Sequence, residues 1–391
     1  MANEIVTIEV GAFLRETLAQ GHPWLYRDHV PSGVSARTGD WVEVRAGSFR
    51  AIGLWDESSP IAVRLLGTRQ VPDENWVHQR VTEAWNLRAS LRDAGVTAYR
   101  WVFGEGDGLP GIVVDLYGNY AVLVPYAAAV ERLVPWIVQA LRQTTPLKGV
   151  ALRPRDAESD ARLSVLWGRL PPRRLVVEEH GIRLAVDLFA GQKTGLFLDH
   201  RANRQTVAAH CADRRVLNLF AYTGAFSLHA ARGGASHVTS VDIAGSAIAA
   251  LRDNLALNGM DDARHELVAA DVFAYLEEAA QRGRQFDLVI SDPPSFAKRR
   301  DHLRQAQRAY VKLTASGLRV VKPGGLYAAA SCTSQVGPAA FRDALAEGAR
   351  KAHSRLQIIH DAGQPCDHPV MAHHPEGRYL KFLLARVLPV L

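Results

Sequence analysis

Cysteine is scarce. The 391 residues contain three, Cys211, Cys332 and Cys366, and none has a partner at metal-ligand spacing. That argues against both a disulfide framework and a metal site. Long apolar runs are missing as well. The greasiest stretch, Tyr120 to Leu141, is interrupted by Glu131 and Arg132, and the opening Met1-Ala2-Asn3-Glu4-Ile5 has no basic segment followed by an apolar one. A cytoplasmic protein, neither secreted nor membrane-spanning, is the expectation. Internal repeats and low-complexity tracts are also absent. With 48% apolar and 22% charged residues the chain is globular rather than disordered, and its length calls for two or three domains.

The formal net charge of +6 favours a polyanionic partner, since cations that neutralise phosphates release counterions. Arg outnumbers Lys, which a genome rich in G and C would also produce, so the charge alone does not establish nucleic-acid binding.

Through about Arg69, short β-like runs alternate with turns: Ile5–Val10, Trp41–Arg45, Ala51–Trp55 and Ile61–Leu66. This spacing suggests a small β-barrel. The aromatic turn Gly21-His22-Pro23-Trp24-Leu25-Tyr26 reads equally as an RNA-facing loop or as core aromatics under a lid. Val71-Pro72-Asp73 is a linker, after which helices are expected over Trp76–Arg92 and Val130–Arg142. Between them, Gly104 to Gly111 fits neither a phosphate loop nor a calcium loop and reads as structural. The domain boundaries expected are 1–70, 73–185 and 186–391.

Beyond a hairpin at Val176–Gly181, strand and helix alternate. Strands are expected at Val216–Phe220, Val238–Val241, His265–Ala269, Phe286–Ile290 and Leu326–Ala330, with Leu356–His360 and Tyr379–Val387 completing the sheet. Right-handed crossovers then give an α/β doubly wound, Rossmann-like sheet. Ligands bind such sheets at the carboxyl ends of the strands, which is where the informative residues fall.

The turn after the first of these strands, Asn218 to Phe226, has one glycine, Gly224, where a dinucleotide loop would have three. About twenty residues on, Asp242 suits a carboxylate accepting from two ribose hydroxyls, as in NAD enzymes too. Asp271 could accept from an adenine amino group beside an apolar neighbour, or could simply cap a helix. Thr223, Ile243 and Val272 are counted with the donor-binding positions. Ahead of the sheet, Gly191 to Arg201 reads as a donor-contacting flap, with Lys193, Leu198, Asp199 and Arg201 as its contacts, or as a turn with Asp199 capping a helix.

Two further segments carry chemistry. Ser331-Cys332-Thr333 ends a strand with a thiol, and Asp292-Pro293-Pro294-Ser295-Phe296 holds an acid whose backbone is restricted by the following proline. Carbon 5 of cytosine is a poor nucleophile until a thiolate adds to carbon 6. A thiol with an ordinary pKa of about 8.5 needs a cation, a histidine or a helix N-terminus to ionise. Asp292 could meet the N3 and amino edge of the base, and could also border the donor; otherwise it is a turn acid. Phe296 either stacks on an extruded base or packs.

These segments together resemble the RlmI-type bacterial methyltransferases acting on carbon 5 of cytosine in large-subunit ribosomal RNA. The resemblance is carried by Gly21-His22-Pro23-Trp24, Gly104 to Gly111, Gly191 to Arg201, Asn218 to Phe226, Asp292 to Phe296, Ser331-Cys332, Asp367-His368-Pro369 and Pro375 to Lys381. It implies an N-terminal PUA β-barrel, a central α/β domain and a C-terminal methyltransferase domain. It further implies S-adenosylmethionine as cofactor, bordered by Asn218, Phe220, Ala221 and Gly224, with Asp242 on its ribose, Asp271 on its adenine and Cys332 as nucleophile. Ser295 departs from the basic residue usual there, and Lys298-Arg299-Arg300 with Arg304 and Arg308 follows instead, either as a strand clamp or as a solvated face. His368, Glu376 and His200 are candidate bases by residue type, and Cys366 reads as packing. Ribosomal RNA is the expected partner, and oligomeric state, a homodimer included, stays open. The alternatives are an exocyclic-amine RNA methyltransferase using Asp-Pro-Pro and a noncatalytic RNA-binding assembly factor.

Overall fold

The computed structural model describes residues 5–154, 163–189, 196–260, 263–296 and 303–390. They form two compact units. The first contains Met1–His180, Val186–Leu198 and Cys366–Gly377; the second contains Gly181–Ala185, Asp199–Pro365 and Arg378–Leu391.

Two sheets make up most of the first unit. One has five strands in the order Val6–Glu9, Trp41–Ala46, Phe49–Trp55, Ile61–Leu65, Trp24–Tyr26. Alternation of buried and half-buried residues along Trp41–Ala46 is the period of a strand with one face in the core. Part of the expected aromatic turn is thus a strand, paired antiparallel with Ile61–Leu65. Its Trp24 indole N–H donates to Glu105 Oε1 at 2.8 Å, and its ring lies 4.3 Å from that of His374. The aromatic segment therefore packs, which favours the second of its two readings.

The other sheet runs Ser164–Gly168, Gly149–Leu152, Tyr120–Pro125, Ile112–Tyr117, Ala98–Phe103, and the helices Glu74–Leu87 and Val134–Thr144 share its core through Val77, Val81, Ile137 and Leu141. The single helix expected over Trp76–Arg92 breaks at Arg88. That residue leaves helical geometry, and its fully buried guanidinium makes paired bonds of 2.7 Å to both oxygens of Asp107. Around Val130–Arg142, a 3-10 turn at Ala128–Leu133 precedes the α-helix, which starts where Pro135 occupies the first turn and its missing N–H costs nothing. The Gly104–Gly111 segment is structural: Glu105 also accepts from Gly111 N, and Asp107 from Phe103 N.

The second unit is built on seven strands: β1 (Arg215–Leu219), β2 (His237–Asp242), β3 (His265–Ala269), β4 (Phe286–Ser291), β5 (Val321–Ser331), β6 (Ser354–Ala362) and β7 (Lys381–Pro389). Their order is β3-β2-β1-β4-β5-β7-β6, with the first five parallel and β7 antiparallel to both neighbours. The helices are α1 (Arg201–Ala208), α2 (Ala225–Arg232), α3 (Gly245–Leu257), α4 (Val272–Gln281), α5 (Leu303–Leu318) and α6 (Pro338–Lys351). Alternate residues of each strand serve opposite layers. Leu217, Leu219, Val289 and Ala329 pack with α4, α5 and α6, whereas Val216, Leu288, Ile290 and Ala328 pack with α1 and α2. Burial on both faces explains why the central strands read as unbroken apolar runs.

Candidate active site

Parallel order puts the carboxyl ends of β3, β2, β1, β4 and β5 along one edge of the sheet, and the chain direction of the crossovers reverses between β1 and β4. This is the topological switch point at which open α/β sheets bind ligands.

The turn after β1 is held in a strained form. Phe220 and Tyr222 lie at φ 57° and 48°, where non-glycine residues are disfavoured by about 1–3 kcal/mol each. Backbone bonds offset this: Ala221 N donates to Val241 O at 3.0 Å, and Tyr222 N to Asp242 Oδ2 at 2.8 Å. Gly224, at φ 86°, is required, because a Cβ there would lie 2.4 Å from Leu251 Cγ. Fully buried Asn254, from α3, donates to Thr223 O at 3.0 Å and accepts from Ala185 N at 2.8 Å.

Asp242 is the hub of this edge. Its second oxygen accepts from Ala244 N at 2.9 Å, so the carboxylate is aimed by two amides and each oxygen keeps a lone pair for a hydroxyl. Next to it, Ile243 is 73% exposed. Asp271 caps α4, as its alternative reading had it: Oδ1 accepts from Phe273 N and Ala274 N. Among the described residues no bond engages Oδ2. The two acids are acceptor-only groups at neighbouring strand ends, and they suit the hydroxyl and amino donors of an adenosyl group.

Other expected contacts are placed differently. Asn218 is 1% exposed, and its amide donates to Ser227 Oγ at 2.8 Å, which in turn bonds Ser240 Oγ; it braces the turn from within the layers. Val272 is 2% exposed and belongs to the core, not to an open wall. Of the flap, Lys193 lies outside the described residues. Leu198 and Arg201 are buried, and Asp199 accepts from Tyr379 Oη at 2.5 Å.

At the reacting end, Ser331 and Thr333 are fully buried while Cys332 between them is partly exposed. The Thr333 hydroxyl bonds Ser295 Oγ at 3.2 Å and Tyr310 Oη at 2.9 Å, tying the thiol loop after β5 to the Asp-Pro-Pro-Ser loop after β4. Ser295 thus has a role that a long basic side chain could not fill in the same way. Burial raises the Tyr310 phenol above its ordinary pKa, against the lowering effect of bonds to Ser331 and Thr333, so it stays neutral. Phe296 packs edge-on against Tyr310 at 4.9 Å.

Asp292 Oδ1 lies 3.4 Å from Nε2 of the buried His200. The tautomer follows from the next residue in the chain of bonds. Asn203 Nδ2 donates to Gly363 O at 3.3 Å, which fixes the amide orientation, and the same nitrogen faces His200 Nδ1 at 3.2 Å. Nδ1 must therefore accept, leaving the proton on Nε2, the ring nitrogen nearer Asp292. In this form His200 is a donor rather than a base. The other candidates, His368 and Glu376, belong to the first unit: His368 Nδ1 lies 3.2 Å from Asp367 Oδ1, and Glu376 flanks His22 and His374. Arg304 and Arg308 are exposed on α5, whereas Lys298, Arg299 and Arg300 lie outside the described residues.

Sequence reading missed Asn203 and Asn254. An asparagine inside a helix is unfavourable without a partner, and that mismatch was the available signal. Among the described residues no group of three or more His, Cys, Asp or Glu could hold a metal, and no helix is long and apolar enough to cross a membrane.

A switch-point turn without a dinucleotide glycine pattern, two acids on successive strand ends and an antiparallel β7 define an S-adenosylmethionine-dependent methyltransferase. Residues 136–385 match the family of that description, and residues 11–68 match a PUA-like domain. The chain is 35% identical over 385 residues to ribosomal RNA large subunit methyltransferase I of Klebsiella pneumoniae (strain 342), covering 95% of this chain and 96% of that one. With the protein of the same name from Photobacterium profundum, identity is 36% over 380 residues, covering 94% and 95%. The chain belongs to the ribosomal RNA large subunit methyltransferase I family. Among solved structures, one from Streptococcus mutans assigned to the SAM-dependent methyltransferases superposes with a TM-score of 0.86 at 26% identity, over 98% of this chain and 100% of that one. Another methyltransferase assignment, solved with SAH, gives 0.88 at 27% identity over the same shares.

Proposed function

We propose that this enzyme methylates carbon 5 of a cytosine in large-subunit ribosomal RNA through a transient bond to Cys332. The names of its relatives supply the RNA class, and the family resemblance supplies the atom. The observation that carries the chemistry is the tie Ser295–Thr333–Tyr310, which holds a partly exposed thiol beside the loop bearing Asp292.

The donor is held by Asp242 at its ribose and Asp271 at its adenine, with Phe220, Ala221, Thr223 and Gly224 forming the backbone cradle, Asn218 bracing it and Ile243 at its lip. When bound, S-adenosylmethionine supplies a sulfonium methyl that carbon 5 accepts. The chain's own part is to make that carbon nucleophilic. Cys332 adds its sulfur electron pair to carbon 6, charge moves toward N3, and Asp292, whose Oδ1 lies 3.4 Å from His200 Nε2, meets the N3 and amino edge. After transfer a base removes the carbon 5 proton, and the carbon–sulfur bond breaks to return the thiolate.

RNA carrying 5-fluorocytosine retains fluorine where the proton should leave, so it should trap a denaturation-resistant adduct with the wild type and none with Cys332→Ala. Methyl transfer by Cys332→Ala at the wild-type rate, without an adduct in either protein, would instead support transfer to an exocyclic amine.

A further inference from the structure

We propose that Lys381 is the positioning residue that holds Cys332 as a thiolate, its buried ammonium serving as the sulfur's counter-charge. This rests on the reading of Cys332 as nucleophile and adds the group that makes it one.

The placement comes from strand register. In the antiparallel pair of β5 and β7, Lys381 stands directly opposite Ser331, one residue before the thiol. The residue is 4% exposed. Two of its three ammonium protons are given to backbone carbonyls, Thr333 O at 2.6 Å and Tyr379 O at 2.8 Å, so the nitrogen is clamped on the far side of Cys332 in sequence. Neither carbonyl carries a formal charge, and among the described residues no carboxylate pairs with the ammonium. A buried cation without a counter-ion is costly, and a protein that needed only to link two carbonyls could do so with a neutral donor.

The charge has one use in view. The ammonium is close enough to Cys332 for their charges to interact: burial pushes the Lys381 pKa down to about 8, and a negative Cys332 opposes that fall. By reciprocity the same interaction favours ionisation of the thiol. Ionisation breaks the S–H bond, the proton leaving to solvent and the electron pair remaining on sulfur. Among the described residues, the other titratable groups at this end include Tyr310 from α5, neutral by burial, Asp292 from the loop after β4 with His200 beside it, and Tyr379 leading into β7. Above about pH 8 an ammonium not yet facing a thiolate loses its own proton, which sets the upper end of the window.

Alkylation of the intact protein by iodoacetamide across pH, followed at each cysteine by peptide mass spectrometry, tests this without any RNA. Exposed Cys366 is the internal reference. In the wild type, Cys332 should reach half its maximal rate at lower pH than Cys366. Lys381→Met should move the Cys332 profile up by about one pH unit or more, roughly tenfold in rate near neutrality, while Lys381→Arg keeps most of the wild-type profile. Coincident Cys332 and Cys366 profiles in the wild type would overturn the proposal even if Lys381→Met does not fold. So would a folded, SAH-binding Lys381→Met with an unmoved Cys332 profile. An early Cys332 profile with no fluorocytosine adduct would leave the ion pair standing and remove the cytosine reading instead.

Discussion

Asp242 bears on both the shape and the affinity of the donor site. Its carboxylate accepts from Tyr222 N and Ala244 N, bonds that hold the strained turn after β1, and it is the group proposed to take the ribose. A ribose contact is the same in ground and transition states, so its loss should weaken binding more than turnover. Asp242→Ala is expected to raise the dissociation constant for SAH by roughly 10- to 100-fold, as loss of a hydrogen bond to a charged group of about 1.5–3 kcal/mol implies. The rate at saturating donor should change less. Calorimetric titration and single-turnover kinetics measure the two separately, and unchanged SAH affinity would remove the assignment. Cys211 illustrates the contrast with Cys332: burial pushes its thiol up to about 12, so it is packing.

The unit of function at the next scale is a pair of loops, each closing a parallel strand. Proline stiffens the loop after β4, but nothing in its sequence says how it meets the loop after β5. Thr333 makes that link, with Ser295 on one side and Tyr310 from α5 on the other. Thr333→Val keeps the shape and removes the hydroxyl. The loss removes one of the two hydroxyl partners of buried Tyr310, Ser331 remaining, at about 0.5–1.5 kcal/mol of stability. Methyl transfer is expected to fall at least about tenfold, since misplacement by a fraction of an ångström is enough, while SAH affinity stays within about twofold because the donor turn lies on β1 and β2. A variant that loses donor affinity in proportion to activity would mean the tie supports the whole edge.

At the scale of the molecule, the division into units does not follow the order of the chain. Cys366–Gly377 groups with the first unit although it follows six of the seven strands of the second. Asp367 is fully buried there: Oδ2 accepts from Arg100 N at 3.0 Å, and its carbonyl accepts from Arg88 Nη2 at 2.8 Å. All eight tryptophans, the last being Trp167, lie in the first unit, so tryptophan emission reports its unfolding. Asp367→Ala should therefore lower the urea midpoint seen by tryptophan fluorescence, by a destabilisation of about 1–3 kcal/mol for the amide left without its acceptor. An unmoved midpoint would show that the segment contributes nothing to that unit.

Local chemistry decided what could be read directly. Strand and helix alternation from Val216 onward, the single-glycine turn at Gly224, the acids ending β2 and β3 and the thiol ending β5 were legible because period, turn stereochemistry and position at a strand end are properties of neighbours in sequence. Arg88 breaking a helix, Asn218 turned inward, Asn203 setting the His200 tautomer and Lys381 lying against Ser331 were not. Each depends on how side chains meet in three dimensions, across nine residues for Asn218 and Ser227, fifty for Lys381 and Ser331, and such contacts are specified only when packing and strand register bring the segments together.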